Sequence, residues 1–382
     1  MNKIERKNIF VGMSGGVDSS VAALLLKQQG HDVHGLFMKN WEEDDTEEYC
    51  NAKEDLDDAA KVCEQLNIPL HTVNFSSEYW NHVFDHFLDE YRAGRTPNPD
   101  ILCNTEIKFK YFLNHAIELG ADYIATGHYA RLEKSNDISH LKKALDSNKD
   151  QSYFLCMLNQ HQLSNVIFPL GEIPKPEVRA IAARHGFANH DKKDSTGICF
   201  IGERKFRDFL SKYIPAQPGN IENPEGDVIG EHQGLMYYTL GQRQGLGIGG
   251  QKHSSGEPWF VAHKDMKKNI LVVVQGHDHP LLYHQALETA VVHWISGHPP
   301  EFPLVCHAKI RYGQKDQPCQ LLCDEQKHCT VIFDEPQFAI APGQAVVFYQ
   351  NDECLGGATI EKIIDEEFHQ ISRKKTNRID SR

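Results

Sequence analysis

Gly12-Met13-Ser14-Gly15-Gly16-Val17-Asp18-Ser19-Ser20 is the stretch on which the fold turns. The apolar run Ile9 to Met13 ahead of it predicts a short strand, and Val17 to Gln29 behind it predicts an amphipathic helix closed by Gly30. A glycine-rich turn between a strand and a helix lets the backbone fold tightly and come close to a ligand. Open N–H groups at the helix start, together with the Ser14, Ser19 and Ser20 hydroxyls, would cradle phosphate oxygens. The Gly-Lys-Ser/Thr ending of a Walker loop is missing. Without a lysine at the terminal phosphate, binding of a pyrophosphate group, with cleavage between the first and second phosphates, is more natural than simple γ-phosphoryl transfer.

Outward from that turn the first half alternates strand and helix. Val33 to Met38, Leu70 to Phe75 and Tyr123 to Thr126 read as strands, and Leu56 to Leu66, Trp80 to Ala93 and Phe109 to Leu119 as helices. This rhythm implies a parallel sheet covered on both faces, with ligands at the carboxyl ends of the strands. Helical patterns follow at Lys175 to His185 and Arg204 to Tyr213, and then the composition changes. Residues 214–250 are rich in Gly and Pro, with a strand-like run at Leu235 to Leu240. From Asn269 on, seven short strands suggest a small closed barrel: Ile270 to Val274, Leu287 to Trp294, Leu304 to Arg311, Cys319 to Cys323, Cys329 to Phe333, Ala345 to Tyr349 and Leu355 to Ile364. The expected division is an α/β domain at 1–214, a small β-rich domain at 215–280, a barrel at 281–364 and a polar tail at 365–382.

With 382 residues, 40% hydrophobic and 24% charged, the chain has globular composition and room for two or three domains. It holds no run of about 18 apolar residues, so no membrane span is expected, and neither a secretory signal nor a transit peptide is read at the N-terminus. The net charge of -13 argues on its face against a nucleic-acid partner. The acidity is local, however: residues 40–60 hold ten acids and one lysine, whereas residues 134–215 hold thirteen Lys/Arg and nine acids. Ten scattered cysteines without a Cys-x-x-Cys pair point to a reducing cytosol. Cys319, Cys323, His328 and Cys329 match no standard zinc spacing and read as small core hydrophobes.

Two cysteine-bearing loops stand out. Arg95 to Phe109 carries Asn98, Pro99, Asp100, Cys103 and Lys108. Its prolines would hold the segment extended, leaving Cys103 just before a helix N-terminus, where a thiol pKa falls, and Asp100 within reach of a proton. Asp194 to Gly202 carries Cys199 in a small-residue loop of the kind that serves function. Either cysteine could equally be a buried structural residue, and Lys108 a solvated helix position or a phosphate contact. Cys103 and Cys199 are far apart in the chain, so only the fold could bring them together.

The motif Ser14-Gly15-Gly16-Val17-Asp18-Ser19-Ser20 resembles the signature of the ATP pyrophosphatase (PP-loop) family. That resemblance implies a Rossmann-like ATP-binding domain, ATP as co-substrate, a magnesium ion near the pyrophosphate with Asp18 as contributor, and contacts from Met38 and Gly127 where adenine and ribose would rest. Pro97-Asn98-Pro99-Asp100 with Cys103-Asn104, and Gly197-Ile198-Cys199-Phe200-Ile201-Gly202, resemble the tRNA-specific 2-thiouridylases. So do Ala125 to Ala130, Lys149 to Leu155, Thr239 to Arg243 and Arg311-Tyr312, covering nearly the whole chain.

The resemblance implies replacement of the position-2 oxygen of the tRNA wobble uridine by sulfur, on tRNAs for Lys, Glu and Gln. Adenylation would turn a poor leaving group into AMP. Cys199 would carry sulfur as a persulfide, received from a sulfur-carrier or cysteine-desulfurase protein. Cys103 would attack that persulfide or release hydrosulfide from it, leaving a Cys103–Cys199 disulfide. Asp100 would be the general acid/base; Asn98, Pro99 and Asp100 would face the target base, and His128, Lys149, Asp150, Gln151, Arg311, Tyr312 and Gln344 the tRNA. Two other classes share some of these features: PP-loop ligases that use an amine nucleophile, and a non-catalytic RNA-binding or redox protein.

Overall fold

The computed structural model of the protein describes residues 5–42, 51–193, 206–248, 256–324 and 328–364. The first domain is built on five parallel strands in the order β3-β2-β1-β4-β7: β1 (Asn8–Met13), β2 (Asp32–Lys39), β3 (Leu70–Asn74), β4 (Tyr123–Ala125) and β7 (Val166–Ile167). Helices α1 (Val17–Gln28) and α2 (Asn51–Leu66) provide the crossovers. Ile9, Val11, Val21, Ala22, Leu26 and Val62 are buried together on one face of the sheet, as near-continuous apolar strands require. Phe10, Leu36, Phe84, Phe87, Phe112 and Ile124 pack the other. β1 is central, flanked by β2 and β4, so the glycine turn at its carboxyl end lies where the strand order reverses.

The expected helix at Trp80 to Ala93 is found as α3 (Ser76–Tyr79), a wider π-wound segment Trp80–Phe84 and α4 (Asp85–Arg92). The expectation of an extended loop up to Cys103 is corrected. Helix begins at Pro99 and runs through α5 (Pro99–Leu102), π-wound Cys103–Tyr111 and α6 (Phe112–Glu118). Proline at the first helical position is pre-set for the helix and gives up an N–H that would have no partner there. Residues 95–98 stay outside the helix, and Asn98, at φ -116° and ψ 90°, is held extended by the proline that follows it. Cys103 therefore sits a full turn inside the helix, not before it.

Hairpin β5 (Ala130–Ser135) and β6 (Ile138–Lys143), which the periodicity does not announce, leaves the first domain and pairs with the last strand of the chain. Short α7 (Gln160–Ser164) and α8 (Lys175–Arg184) complete the domain, and α9 (Phe206–Leu210) follows.

A four-stranded sheet comes next, in the order β10-β11-β8-β9, formed by β8 (Gly219–Glu222), β9 (Val228–His232), β10 (Trp259–Asp265) and β11 (Ile270–Gln275). The strand expected at Ile270 to Val274 thus belongs here and not to the barrel. The run Leu235 to Leu240 is no strand: Leu235–Tyr237 forms a 3-10 turn and is buried. A short apolar run is compatible with any buried backbone, and Gly234 at φ +143° bends this one out of extension.

The last domain has strands β12 (Tyr283–Val291), β13 (His293–Trp294), β14 (Leu304–Lys309), β15 (Gln317–Cys323), β16 (His328–Phe338), β17 (Ala345–Gln350) and β18 (Glu353–Ile364). Six of these close a ring, β12-β16-β15-β14-β17-β18, because β18 pairs back to β12. The cysteine reading holds for Cys319, buried opposite Cys306 on the neighbouring strand, but Cys323 and Cys329 form a disulfide across β15 and β16. They are directly opposed in the antiparallel register, which sequence spacing alone does not reveal.

Where β18 passes β13 and β17 the backbones are crowded. Gly356 has φ +149°, and a Cβ there would lie 2.0 Å from the His293 carbonyl oxygen. Gly356→Ala is expected to lower the unfolding free energy by about 1–3 kcal/mol, measured by urea denaturation.

Candidate active site

The glycine turn is fixed by its neighbours. Gly15 has φ +73°, and a Cβ on it would lie 2.5 Å from the Asp55 carbonyl oxygen. A Cβ on Gly127, just past β4, would lie 2.8 Å from the Ser19 backbone nitrogen. These two positions set how closely α2 and β4 approach the loop. The serines hold the loop together: Ser19 and Ser20 each donate to the Gly16 carbonyl at 3.0 Å, and the Ser14 N–H donates to the Ser19 hydroxyl at 3.3 Å. The Asn189 amide, a residue the sequence reading passed over, donates to the Gly15 carbonyl at 2.9 Å and to the Ser20 hydroxyl at 3.0 Å. The first N–H groups of α1 still point out of the helix end, as they must at any helix start. Gly12 and Met13 end β1 behind the loop; Met13 is buried, whereas Met38, near the end of β2, is half-buried.

Asp18, in the first turn of α1, accepts from two groups the motif does not contain. Tyr129 donates its hydroxyl at 2.7 Å, and the Lys175 ammonium meets both carboxylate oxygens at 2.8 and 2.7 Å. The loop thus has a lysine after all, delivered from the start of α8. Among the described residues no group of three His, Cys, Asp or Glu could hold a metal by itself. A magnesium ion fits only as a phosphate-bound ion sharing the Asp18 carboxylate, the usual manner for this cation.

The second centre lies on the helical run from Pro99. Cys103 is buried, with 1% of its surface exposed. Burial raises the Asp100 carboxyl above its ordinary pKa, and the Lys108 ammonium works in the opposite direction. Burial, with help from Lys108, holds the His128 imidazole well below its usual pKa, so the ring is neutral near pH 7. His128 Nδ1 is 2.7 Å from the Thr126 hydroxyl, and its ring packs against Phe109 and Phe168 at centroid distances of 5.6 and 6.2 Å. Asp100, Lys108 and His128 therefore share one apolar-walled corner beside the carboxyl end of β4.

The remaining sequence candidates are more inward than expected. The Asp150 carboxylate accepts from the Ala144 and Ser152 N–H groups and from the Ser152 hydroxyl, with Lys309 at 3.6 Å. Gln151 accepts from the Tyr129 N–H at 2.9 Å, and Lys149 is half-buried in the preceding turn. Arg311 donates to the Leu240 and Ala339 carbonyls, both at 2.8 Å, and lies near Tyr153, whose hydroxyl is shared between Asn98 and the Ala345 carbonyl. Tyr312 stays outward, its ring 4.4 Å from that of Phe154. Cys199 and the rest of 194–205 lie outside the described residues, so its position relative to Cys103 is not part of this geometry.

Three domains meet at the stem of the Cys103 segment. The Gln344 amide from the barrel donates to the Thr96 and Pro97 carbonyls at 2.8 and 3.2 Å, and the Thr96 N–H donates to the Pro342 carbonyl at 3.0 Å. From the central domain, the Thr239 hydroxyl meets that of Thr96 at 3.1 Å and Lys264 donates to the Gly94 carbonyl at 2.8 Å. Arg95 pairs with buried Glu90 below them.

A carboxyl whose folded pKa is raised disfavours the fold once it must ionise. Asp100→Asn is therefore expected to raise the melting temperature at pH 8, with the gain vanishing below about pH 4, where the carboxyl is protonated in both states. Thermal melts of the two proteins at both pH values check the sign.

Comparison with known proteins agrees along the whole chain. Residues 7–203 match the family model described as tRNA methyl transferase HUP domain, 207–275 the tRNA methyl transferase PRC-barrel domain and 284–360 the aminomethyltransferase beta-barrel domain. The tRNA-specific 2-thiouridylase MnmA of Hydrogenovibrio crunogenus is 61% identical over 365 residues, 95% of either chain. The protein of the same name from Vibrio cholerae is 60% identical over 362 residues, 94% of this chain and 97% of that one. Among solved structures, the U34-tRNA thiolase NcsA of Methanococcus maripaludis shares 21% identity at a TM-score of 0.35, over 55% of this chain and 65% of that one. The domain descriptions speak of methyl transfer, but identity of this order over nearly the full length decides the matter: this chain belongs to the family of the tRNA-specific 2-thiouridylases.

Proposed function

We propose that this chain replaces the 2-oxygen of a tRNA wobble uridine by sulfur at the expense of ATP, with residues 1–214 as the catalytic domain, 215–280 as the small β-rich domain between, 281–364 as the tRNA-contacting barrel and 365–382 as a polar tail. The observation that carries the reading is the shared edge of one sheet. The glycine loop after β1 and the corner of Asp100, Lys108 and His128 flank the same end of β4, and Gly127 touches the loop while His128 faces the corner. A nucleotide on the loop would present its first phosphate toward a base held beside Asn98, Pro99 and Asp100.

The chemistry asks for that arrangement. A uracil carbonyl oxygen is a poor leaving group, and transfer of AMP onto it, with release of pyrophosphate, makes it a good one. Met38 and Gly127 fit the adenosine end, the N–H groups of α1 and Ser14 to Ser19 the phosphates, and Asp18 a magnesium ion that would offset their charge. The flipped base would lie against the apolar wall of Phe109 and Phe168, with neutral His128 offering a hydrogen bond without a competing charge. Asp100, whose carboxyl burial holds above its ordinary pKa, is a better proton acceptor and donor than a solvated aspartate and suits a general acid/base.

Sulfur would arrive as a persulfide on Cys199, loaded by a sulfur-carrier or cysteine-desulfurase protein. The Cys103 thiolate attacks the Cys199 sulfur, the bond to the outer sulfur breaks, and hydrosulfide leaves to displace AMP from the activated carbon. The two cysteines end as a disulfide, which a thiol reductant must open before the next turnover. Cys103 is buried in the structure, so the Pro99 helix must shift when tRNA enters. Lys149, Gln151 and Tyr312 would contact the tRNA directly, and inward Asp150, Arg311 and Gln344 would act by shaping the surface that the backbone of tRNAs for Lys, Glu and Gln meets. No described helix is long and apolar enough to cross a membrane, and an enzyme acting on tRNA would work in the cytoplasm.

Cys103→Ser and Cys199→Ser are each expected to abolish 2-thiouridine formation, read by mass spectrometry of tRNA from a strain lacking the gene and complemented with either variant. Both should still release pyrophosphate from ATP when tRNA is added. Full thiolation by either variant would overturn the persulfide route and favour an amine-using PP-loop ligase; no tRNA-dependent pyrophosphate release by the unaltered enzyme would overturn the activity itself.

A further inference from the structure

Lys175 lies 157 positions from Asp18 in the chain and outside every motif read from the sequence. Its place is nevertheless tightly specified. It is the first residue of α8, between Pro174 and Pro176, which set the backbone entering the helix. Its N–H donates to the Asp146 carboxylate at 2.9 Å, fixing the helix start to the turn before it. Val178, Ile181 and Ala182 of α8 are buried in the same core as Val21, Ala22 and Leu25 of α1. The side chain is 8% exposed, whereas that of Asp18 is 30% exposed. An ammonium nearly withdrawn from water is thus aimed at the mouth of a phosphate loop that has no lysine of its own.

A close ion pair of this kind contributes little net stability by itself, since taking both charges out of water offsets their attraction. A structural tie between α1 and α8 would need no charge, because the apolar contacts already join them. The pair is better suited to exchange. A divalent cation arriving with a polyphosphate can take over the Asp18 carboxylate, and the ammonium, a compact cation with three donors, can turn to phosphate oxygens a short distance away. Charge stays balanced throughout: the lysine loses a carboxylate and gains a phosphate, and the aspartate loses an ammonium and gains a metal ion.

We infer that Lys175 is a phosphate ligand of this enzyme, held in reserve on Asp18 and transferred to the pyrophosphate portion of ATP when the nucleotide binds. This rests on the phosphate-loop reading above and assigns a residue to that site which the loop motif does not include.

The test is calorimetric titration of the full chain with MgATP, magnesium pyrophosphate and adenosine, using Lys175→Met, Lys175→Arg and Gly127→Ala, with thermal melts as a check on folding. Lys175→Met is expected to weaken MgATP and pyrophosphate about tenfold or more while changing adenosine less than about twofold, and Lys175→Arg to restore part of the loss. Equal weakening of all three ligands would assign Lys175 to packing and overturn the proposal, as would unchanged affinity for MgATP. Unchanged MgATP binding by Gly127→Ala would instead mean that the nucleotide lies elsewhere, and the phosphate-loop reading would fail with it. Should Lys175→Met fold poorly, Lys175→Arg alone decides: wild-type affinity for adenosine with altered affinity for pyrophosphate supports phosphate contact, and parallel changes refute it.

Discussion

The closeness of backbone to backbone at the carboxyl edge of the first sheet is the constraint from which the rest of the structure follows. Gly15 lies against Asp55 of α2, and Gly127 lies against Ser19 of α1. No side chain fits at either position, so the loop is pinned between α2 and the segment that follows β4 instead of standing free in solvent. The serine hydroxyls, turned back on the Gly16 carbonyl, and the Asn189 amide on Gly15 complete the cage. A loop built this way is rigid before any ligand arrives, which would limit the entropy lost on binding a phosphate.

The second centre is organised differently. The helix that carries Asp100 and Cys103 belongs to the first domain, yet its stem is held by hydrogen bonds from all three domains. Gln344 and Pro342 of the barrel and Lys264 of the central domain hold residues Gly94 to Pro97 by their backbone, and Thr239 of the central domain meets the Thr96 hydroxyl. A displacement of the barrel would therefore be felt at the helix that carries Cys103. The β5–β6 hairpin ties the same two domains on another side through its pairing with β18. The Cys103 segment is in this sense a joint property of the chain and not of one domain.

Electrostatics separates the two centres. At the loop, charge is paired: Asp18 with Lys175 and Tyr129. In the corner beside β4, burial pushes both Asp100 and His128 toward their neutral forms while Lys108 stays nearby. The corner of Asp100 and His128 is thus governed by burial, and the loop by matched charge. The stability given up by burying Asp100 is of the kind that proteins tolerate where a function requires it.

What the sequence by itself determined is what depends on neighbours in the chain. The alternation of apolar runs and helical periods gave the parallel α/β domain, the glycine turn gave the sharp passage from β1 to α1, and the short alternating runs from Leu287 on gave the barrel, whereas Ile270 to Val274 went to the central sheet. The two cysteine motifs, quoted residue by residue, carried the family resemblance that near-full-length identity then bore out. Local patterns suffice for these because strand pleat, helix period and turn conformation are set within a few residues. The helix start at Pro99 was misread because a proline both stops and starts helices, and packing decides which. Lys175 at Asp18, Asn189 at Gly15, Gln344 on the Thr96 carbonyl, Arg311 turned inward and the Cys323–Cys329 bond were decided only by the tertiary structure. Each joins residues from separate elements, and a contact between elements follows from how their buried faces pack, which no single stretch of chain encodes.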